Sequence, residues 1–396
     1  MSGSWPATEI NDILKRDTHT VEIEPNKEYR EITVKLWGKG VVLRRVVSGT
    51  KISGNRRFVA KSGQFVLSRI DARNGAFGIV PKELDGAVVT NDFPLFNLER
   101  TLINPDYLNW LSKTNAFIEL CKRASEGTTN RVRLQEERFL SSMINLPPLV
   151  EQRRIVARIE ELVTKIRQAL SLRQDTVDES GALLDSVIDA TFTKMESVER
   201  KPLAVLTSKI GSGSTPRGGR AFYPSSGVPF IRSMNVRMRQ FQWDGIVFID
   251  KATHEAMKGT QVRPNDVLLN ITGASIGRVA CAPTELAEAN VNQHVTIIRP
   301  LEALNPRYLM YWISQPAVQE FINEEQKGAT RQGFTKEQIE ALQIPLLPLA
   351  EQENIVSFFD TLQAKVNMLK ELQTQTIVEL EALRPSIFDK AFRGEL

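Results

Sequence analysis

Arginine and lysine are the residues whose spacing in this chain promises chemistry. Between Glu31 and Asp71 there are nine basic residues and no acid: Lys35, Lys39, Arg44, Arg45, Lys51, Arg56, Arg57, Lys61 and Arg69. Between Lys201 and Asp244 there are Lys209, Arg217, Arg220, Arg232, Arg237 and Arg239, again with no acid. Uncompensated cations bind phosphates by releasing condensed counterions. One such stretch could be a solvated basic face without a partner, but two favour a polyanion. The second contains Gly211-Ser-Gly-Ser-Thr-Pro-Arg-Gly-Gly-Arg220. Its small polar residues and two arginines suit close approach to phosphates or bases, the alternative being an ordinary turn. It is not a Walker A loop, because no Gly-Lys-Ser/Thr follows.

Catalytic groups are scarce. HExxH, CxxC and GxSxG are absent. Asn145-Leu-Pro-Pro148 superficially resembles the Asn-Pro-Pro-Tyr motif of amino-methyltransferases, but Leu146 interrupts it and no aromatic follows. Lys82-Glu83 is the kind of pair expected by accident. Cys121 and Cys281 cannot build a disulfide framework or a cysteine-rich zinc site. His254 and His294 read as structural, with DNA contact as the alternative. We expect no catalytic residue, metal or cofactor in this chain. No stretch nears the ~18 apolar residues of a membrane span, and no signal peptide is visible, so the expectation is a cytoplasmic protein with reduced thiols and no membrane partner.

The elements that must position these residues come in two copies. The 396 residues suggest two or three domains, and 41% hydrophobic with 25% charged residues suits a folded chain. Pro148-Leu-Val-Glu-Gln152 recurs as Pro348-Leu-Ala-Glu-Gln352, an offset of 200 that also relates Leu183 to Leu383 and Phe192 to Phe392. Upstream, Asn104-Pro105…Tyr107-Leu108 answers Asn305-Pro306…Tyr308-Leu309. The formal charges of residues 1–147, 148–200, 201–347 and 348–396 are +5, −2, +4 and −3. We therefore expect a globular region at 1–147, a helix within 148–200, a second globular region at 201–347 and a second helix within 348–396.

The globular regions read as mixed α/β. Strand-like runs are Ile32–Leu36, Val41–Leu43, Phe65–Leu67, Val228–Ile231, Ile246–Ile249 and Val295–Ile298, and helices start at Asn104 and Asn305. In the helical segments the rows Ile155, Ile159, Leu162, Ile166 and Ile355, Phe359, Leu362, Val366 form a coiled-coil type seam. Each apolar stripe must be buried, and the nearest candidate is the other copy, packed antiparallel about a pseudo-twofold axis. Parallel pairing or pairing with another chain is the alternative. Pro385 should kink or end its helix near Arg384.

The repeated Pro-Leu-x-Glu-Gln-x-x-Ile-Val resembles the helix entry of specificity subunits of type I restriction–modification enzymes. Gly328-Ala-Thr-Arg-Gln-Gly-Phe, Ile344-Pro-Leu-Leu-Pro, Gly213-Ser-Thr-Pro216 and Asp266-Val-Leu-Leu…Gly273-Ala-Ser-Ile-Gly277 are similar to that family too. The first half departs from the pattern where Ser68–Gly75 replaces the short Thr-Gly of the second. The resemblance implies two target-recognition domains separated by two long antiparallel helices. Each domain would read one half of a split, asymmetric double-stranded DNA sequence, and the helices would act as a ruler and dock two methyltransferase subunits. Those partners would carry S-adenosylmethionine and methylate adenine. A motor–nuclease subunit, with ATP and Mg, can join to cleave unmodified DNA. The chain itself would be non-catalytic.

On this reading the candidate DNA contacts in the first region are Arg44, Lys51, Arg56, Arg57, Lys61, Arg69 and Arg73. In the second they are Ser214, Thr215, Arg217, Arg220, Arg232, Asn235, Arg237 and Arg239, joined by Thr272 and Ser275. The competing classes are a stand-alone DNA-modifying or cleaving enzyme, and a coiled-coil scaffold that binds no DNA.

Overall fold

Phe65-Val66-Leu67 and Val267-Leu268-Leu269 are buried at every position, the signature of strands covered on both faces. In a computed structural model, which describes residues 5–126, 132–216, 223–328 and 333–395, they are central strands of two equivalent sheets. The chain divides into two compact units, unit 1 being Met1–Leu172 with Gln375–Leu396 and unit 2 being Arg173–Thr374.

In unit 1 the sheet runs Leu14–Asp17, Leu95–Leu98, Phe65–Leu67, Phe77–Ile79, antiparallel throughout. Alternate side chains of a strand face opposite ways. Phe65 and Leu67 accordingly join a core with helical residues such as Tyr107 and Phe117. Val66 faces a second core containing Ile32, Val34 and Val89. That core is backed by a five-stranded sheet ordered Thr20–Glu22, Arg56–Val59, Val88–Val89, Glu28–Lys35, Gly40–Ser48. Its last two strands form a long hairpin.

Unit 2 repeats the plan. Its first sheet runs Thr207–Ser212, Val295–Pro300, Val267–Asn270, Val279–Cys281. Val267 and Leu269 face the helical core, and Leu268 the other. Its second sheet, Val247–Ile249, Val228–Ile231, Ala289–Val291, Gln261–Val262, has no counterpart of the long hairpin. In each unit a two-stranded ribbon joins the start of the globular region to its end, pairing Ala7–Glu9 with Met143–Asn145 and Arg200–Pro202 with Gln343–Pro345. The expected strands and the mixed α/β class are observed.

The helices Pro105–Leu111 (α1) and Pro306–Ser314 (α3) are capped by Asn104 and Asn305, whose side chains accept from the second and third helical N–H groups, and proline opens both. The long helices are Leu149–Thr193 (α2) and Leu349–Phe392 (α4), of 45 and 44 residues, each roughly 65 Å at 1.5 Å per residue. Each long helix belongs partly to both units. In unit 1, Ile155 and Ile159 from the start of α2 share a core with Phe388 and Ala391 from the end of α4. In unit 2 the order is antiparallel: Arg173 Nη1 donates to Gln373 Oε1 at 3.0 Å, Gly181 lies beside Lys370, and Phe192 packs on Phe359.

The seam is corrected, and one of the two outcomes expected at Pro385 is not observed. The seam is broader than two rows: Leu162, Ile355 and Leu362 are only half-buried, while Val163 and Val356 are buried. The opening turns serve the core of a globular region as well as the other helix, so the apolar face must be wider than a coiled-coil stripe. Pro385 does not end its helix, which continues to Phe392. Packing of Phe388 on Trp110 and of Phe392 on Tyr107 holds the turns beyond the missing N–H.

Candidate nucleic-acid interface

In unit 2 three loops from separate parts of the chain meet at one polar surface. Gly213 crosses the backbone of Val291 and Asn292 so closely that a Cβ there would lie 1.8 Å from the Val291 carbonyl oxygen. Only glycine permits that approach, and it sets the hydroxyl of Thr215 against the side-chain carbonyl of Gln293. The Gln293 amide lies 3.0 Å from His294 Nε2, and His294 Nδ1 lies 2.5 Å from the Thr272 hydroxyl. Thr272 opens the turn Gly273–Ser275 after a central strand. Ser233, Thr272, Ser275, Arg278 and His294 line one open cavity of about 600 Å³. Hydroxyl, amide, imidazole and guanidinium groups so gathered can read base edges or hold phosphate.

The sequence points to Thr215, Thr272 and Ser275 but not to Arg278 or Gln293, and it reads His294 as structural with DNA contact as the alternative. The available signal was Arg278 directly after Gly273-Ala-Ser-Ile-Gly277. His254, by contrast, is buried among Asn290 and Gln261 as a core residue. Ser214 is exposed beside Thr215. Arg217 and Arg220 lie outside the described residues. Arg232 and Arg237 bond to the Gly245 carbonyl and to Gln242, and neither meets an acid among the described residues. Burial, then repulsion from Arg299, holds Lys209 below the ordinary lysine range.

Asn235 and Arg239 require correction. Asn235 is fully buried; its Oδ1 accepts the Arg232 N–H at 3.0 Å and its Nδ2 donates to the carbonyls of Gln242 and Asp244. Its polar groups close a turn, and burial keeps them from solvent. Arg239, with its side chain 9% exposed, bonds Asp185 at 2.8 Å, Gln363 at 3.0 Å and Ser314 at 3.3 Å. It ties the globular region of unit 2 to the long helices.

In unit 1 folding brings acids to part of the acid-free stretch. Arg45 pairs with Glu31, Arg56 with Glu22, Lys61 with Asp17 and Arg69 with Glu136. Burial would push the Asp17 carboxyl up, but bonds from the His19 N–H, Lys61 and Gln64 outweigh it and hold the group below its ordinary range. Lys35, Lys39, Arg44, Lys51 and Arg57 have no acidic partner among the described residues. Arg57 turns instead to the carbonyls of Arg56 and Ser53. Arg44 sits at a β-bulge, since Glu31 faces Arg45 while Ile32 faces Leu43, and its side chain is exposed. Arg73 is half-buried on the turn Ala72–Asn74. Of the cations in that stretch without an acidic partner, Lys35, Lys39 and Arg44 lie on the long hairpin or its turn, and Lys51 and Arg57 follow it in the chain.

The repeated motif explains how each region is held. In unit 2 the fully buried Gln352 accepts the Asn305 N–H at 2.8 Å and donates to the Ala303 and Leu347 carbonyls at 2.9 and 2.8 Å. In unit 1 Gln152 accepts from Asn104 and donates to Leu102 and Pro147, each at 2.8 Å. Each glutamine therefore binds a long helix to the N-cap of the short helix α1 or α3. Both cysteines are unpaired, and burial pushes their thiols up, Cys281 to about 12, so neither is a reactive thiolate. Among the described residues no three metal-ligand side chains cluster, and no helix is long and apolar enough to cross a membrane.

A duplicated mixed α/β unit, clamped by one motif to long helices and varied in its polar loops, defines a helix-linked recognition protein. Residues 207–381 match the type I restriction modification DNA specificity domain. The EcoBI specificity subunit of Escherichia coli is 23% identical over 288 residues, covering 66% of this chain and 60% of that protein. The EcoKI specificity subunit of Escherichia coli (strain K12) is 24% identical over 172 residues, 43% of this chain and 36% of that protein. The chain thus spans less than two thirds of the length of these relatives. The fold is similar to a chain from the complex assembly and conformational transition of the type I R-M system, with TM-score 0.70, 23% identity and coverage of 99% and 98%. It is also similar to the HsdS subunit from Thermoanaerobacter tengcongensis, with TM-score 0.58, 22% identity and coverage of 99% and 97%. Residues 207–381 are thus similar to the type I restriction modification DNA specificity domain, and the chain as a whole shares its fold with these type I R-M chains.

Proposed function

We propose that this chain is the non-catalytic DNA-recognition subunit of a type I restriction–modification complex, in which each unit reads one half of a bipartite target. The observation that carries the reading is the pairing of one conserved clamp, Gln152 and Gln352 in equivalent bonds, with two unlike sets of loops. A constant mount with variable loops is what two different half-sites require. In unit 2 base readout falls to Ser214, Thr215, Thr272, Ser275, Arg278, Gln293 and His294, with Arg232 and Arg237 toward phosphate. In unit 1 phosphate contact falls to Arg44, Lys51 and Arg57, with Arg56, Lys61, Arg69 and Arg73 around them. Two methyltransferase subunits, carrying S-adenosylmethionine, dock on the outer helix faces and supply adenine methylation, and a motor–nuclease subunit using ATP and Mg joins them for cleavage. The shared helices set the number of base pairs between half-sites.

Methylome sequencing of the host with and without the gene tests this. Loss of one split, asymmetric methyladenine motif is expected; an unchanged methylome in a host that expresses the complex refutes the assignment.

A further inference from the structure

The tip of the long hairpin in unit 1 breaks a local rule. Leu36-Trp37-Gly38-Lys39 joins Glu28–Lys35 to Gly40–Ser48, and Trp37 takes φ 61°. Asparagine or glycine adopts that conformation readily, whereas a bulky side chain there is a steric outlier. Packing does not compensate, because Trp37 is 70% exposed and its neighbour Leu36 is 38% exposed.

The backbone beneath is rigidly seated. The N–H groups of Trp37 and Gly38 each donate at 2.9 Å, to the carbonyls of Asn74 and Gly75. A Cβ on Gly75 would meet Gly38 N at 3.1 Å and Trp37 Cα at 3.3 Å. The turn below, Ala72–Asn74, is the counterpart by repeat of Gly273–Ser275, which lines the polar cavity of unit 2. Lys35 and Lys39 flank Trp37 in sequence, Arg44 lies along the same hairpin, and none of the three has an acidic partner among the described residues.

We propose that Trp37 is an aromatic wedge that stacks on a base step of the DNA held by unit 1, while the flanking cations hold the phosphates. An exposed ring on a fixed pedestal, on a hairpin carrying cations without acidic partners, fits the base–phosphate surface of nucleic acid. This inference rests on the DNA-recognition reading above.

The test uses the full chain assembled with its modification subunits and a duplex carrying the motif found by methylome comparison. 2-Aminopurine is placed singly along each half-site. We expect a fluorescence change at one step of one half-site, lost in W37A together with roughly tenfold in affinity. W37F should retain most of both. W37N should lose binding like W37A while melting no lower than wild type, since it relieves the backbone. Unchanged affinity and fluorescence in W37A overturn the wedge and leave the recognition reading standing. Loss of the modification subunits from the W37A complex, with DNA binding otherwise intact, also overturns it, making Trp37 a protein contact. Failure of the wild-type complex to bind the duplex overturns the recognition reading itself, and the wedge with it.

Discussion

Gln352→Ala should damage unit 2 far more than an ordinary loss of one polar side chain. The wild-type amide satisfies three backbone groups, the Asn305 N–H and the carbonyls of Ala303 and Leu347. A buried group left unpaired costs about 1–3 kcal/mol, and net hydrogen bonds contribute about 1 kcal/mol each. Those three backbone groups are partly buried, so values near the low end apply, and the loss comes to about 2–4 kcal/mol. The consequence spreads, because Asn305 caps α3 and the α3 residue Tyr308 packs on Phe192 with ring centroids 5.3 Å apart. Urea unfolding at neutral pH, with hydrogen exchange at Asn305 as the local reporter, measures it. Gln152→Ala should cost unit 1 a similar amount, since its three bonds match. Gln352→Glu adds a sign. A carboxylate would face two carbonyls, and burial would raise its pKa. That variant should be worse than alanine at neutral pH and recover as the pH falls and the group protonates. A loss below about 1 kcal/mol for Gln352→Ala, the level of one ordinary hydrogen bond, would refute the clamp.

Three further outcomes follow from the geometry. Arg239→Met should lower the unfolding free energy of unit 2 by about 1–2 kcal/mol, since Asp185 is partly exposed and the pair is screened. Titration below the melting range should find its DNA affinity unchanged, and an affinity loss without a stability loss would restore Arg239 as a contact. Asp17→Asn should flatten the acid limb of unit 1 stability, because a carboxyl held below its ordinary range stabilises above its unfolded pKa and loses that contribution as pH falls through the folded value; unfolding followed from neutral to acid pH checks this. Four residues inserted after Arg173, with four after its partner Gln373, should add about 6 Å of helix, close to two base-pair steps of about 3.4 Å. Methylation mapping should then show the same half-sites with a longer spacer, and altered half-sites would defeat the ruler.

Continuous apolar runs made the central strands legible, since Phe65–Leu67 and Val228–Ile231 fall where their residues predict. The repeat made the long helices and both N-caps legible. Contacts between distant parts of the chain did not show. Thr215 meets Gln293 across 78 positions and Thr272 meets His294 across 22, so no local spacing predicts the cavity. The basic stretch of unit 1 looked uncompensated because its acids, Asp17, Glu22 and Glu136, lie outside it in sequence and reach it only on folding. Asn235 shows the limit of residue type. The same amide can read an adenine or close a turn, and burial alone decides between them.

The two units divide constraint between clamp and loops. Phe192, on the first repeat's helix, packs on Tyr308 of the second repeat, and Phe392, on the second, packs on Tyr107 of the first. Each globular core is thus closed by helix ends from both copies, through residues at the same repeat position. Buried polar and aromatic groups of this kind tolerate little change, because each loss strands a partner. Exposed loop positions such as Ser214 and Arg44 bear no such load and can vary without opening a core. The loops can therefore change while the mount stays fixed, as the unlike loops of the two copies illustrate. Trp37 departs from that pattern, an exposed loop residue that takes φ 61° against its own backbone preference. If Trp37 stacks on DNA as proposed above, that contact offsets the cost of its backbone conformation.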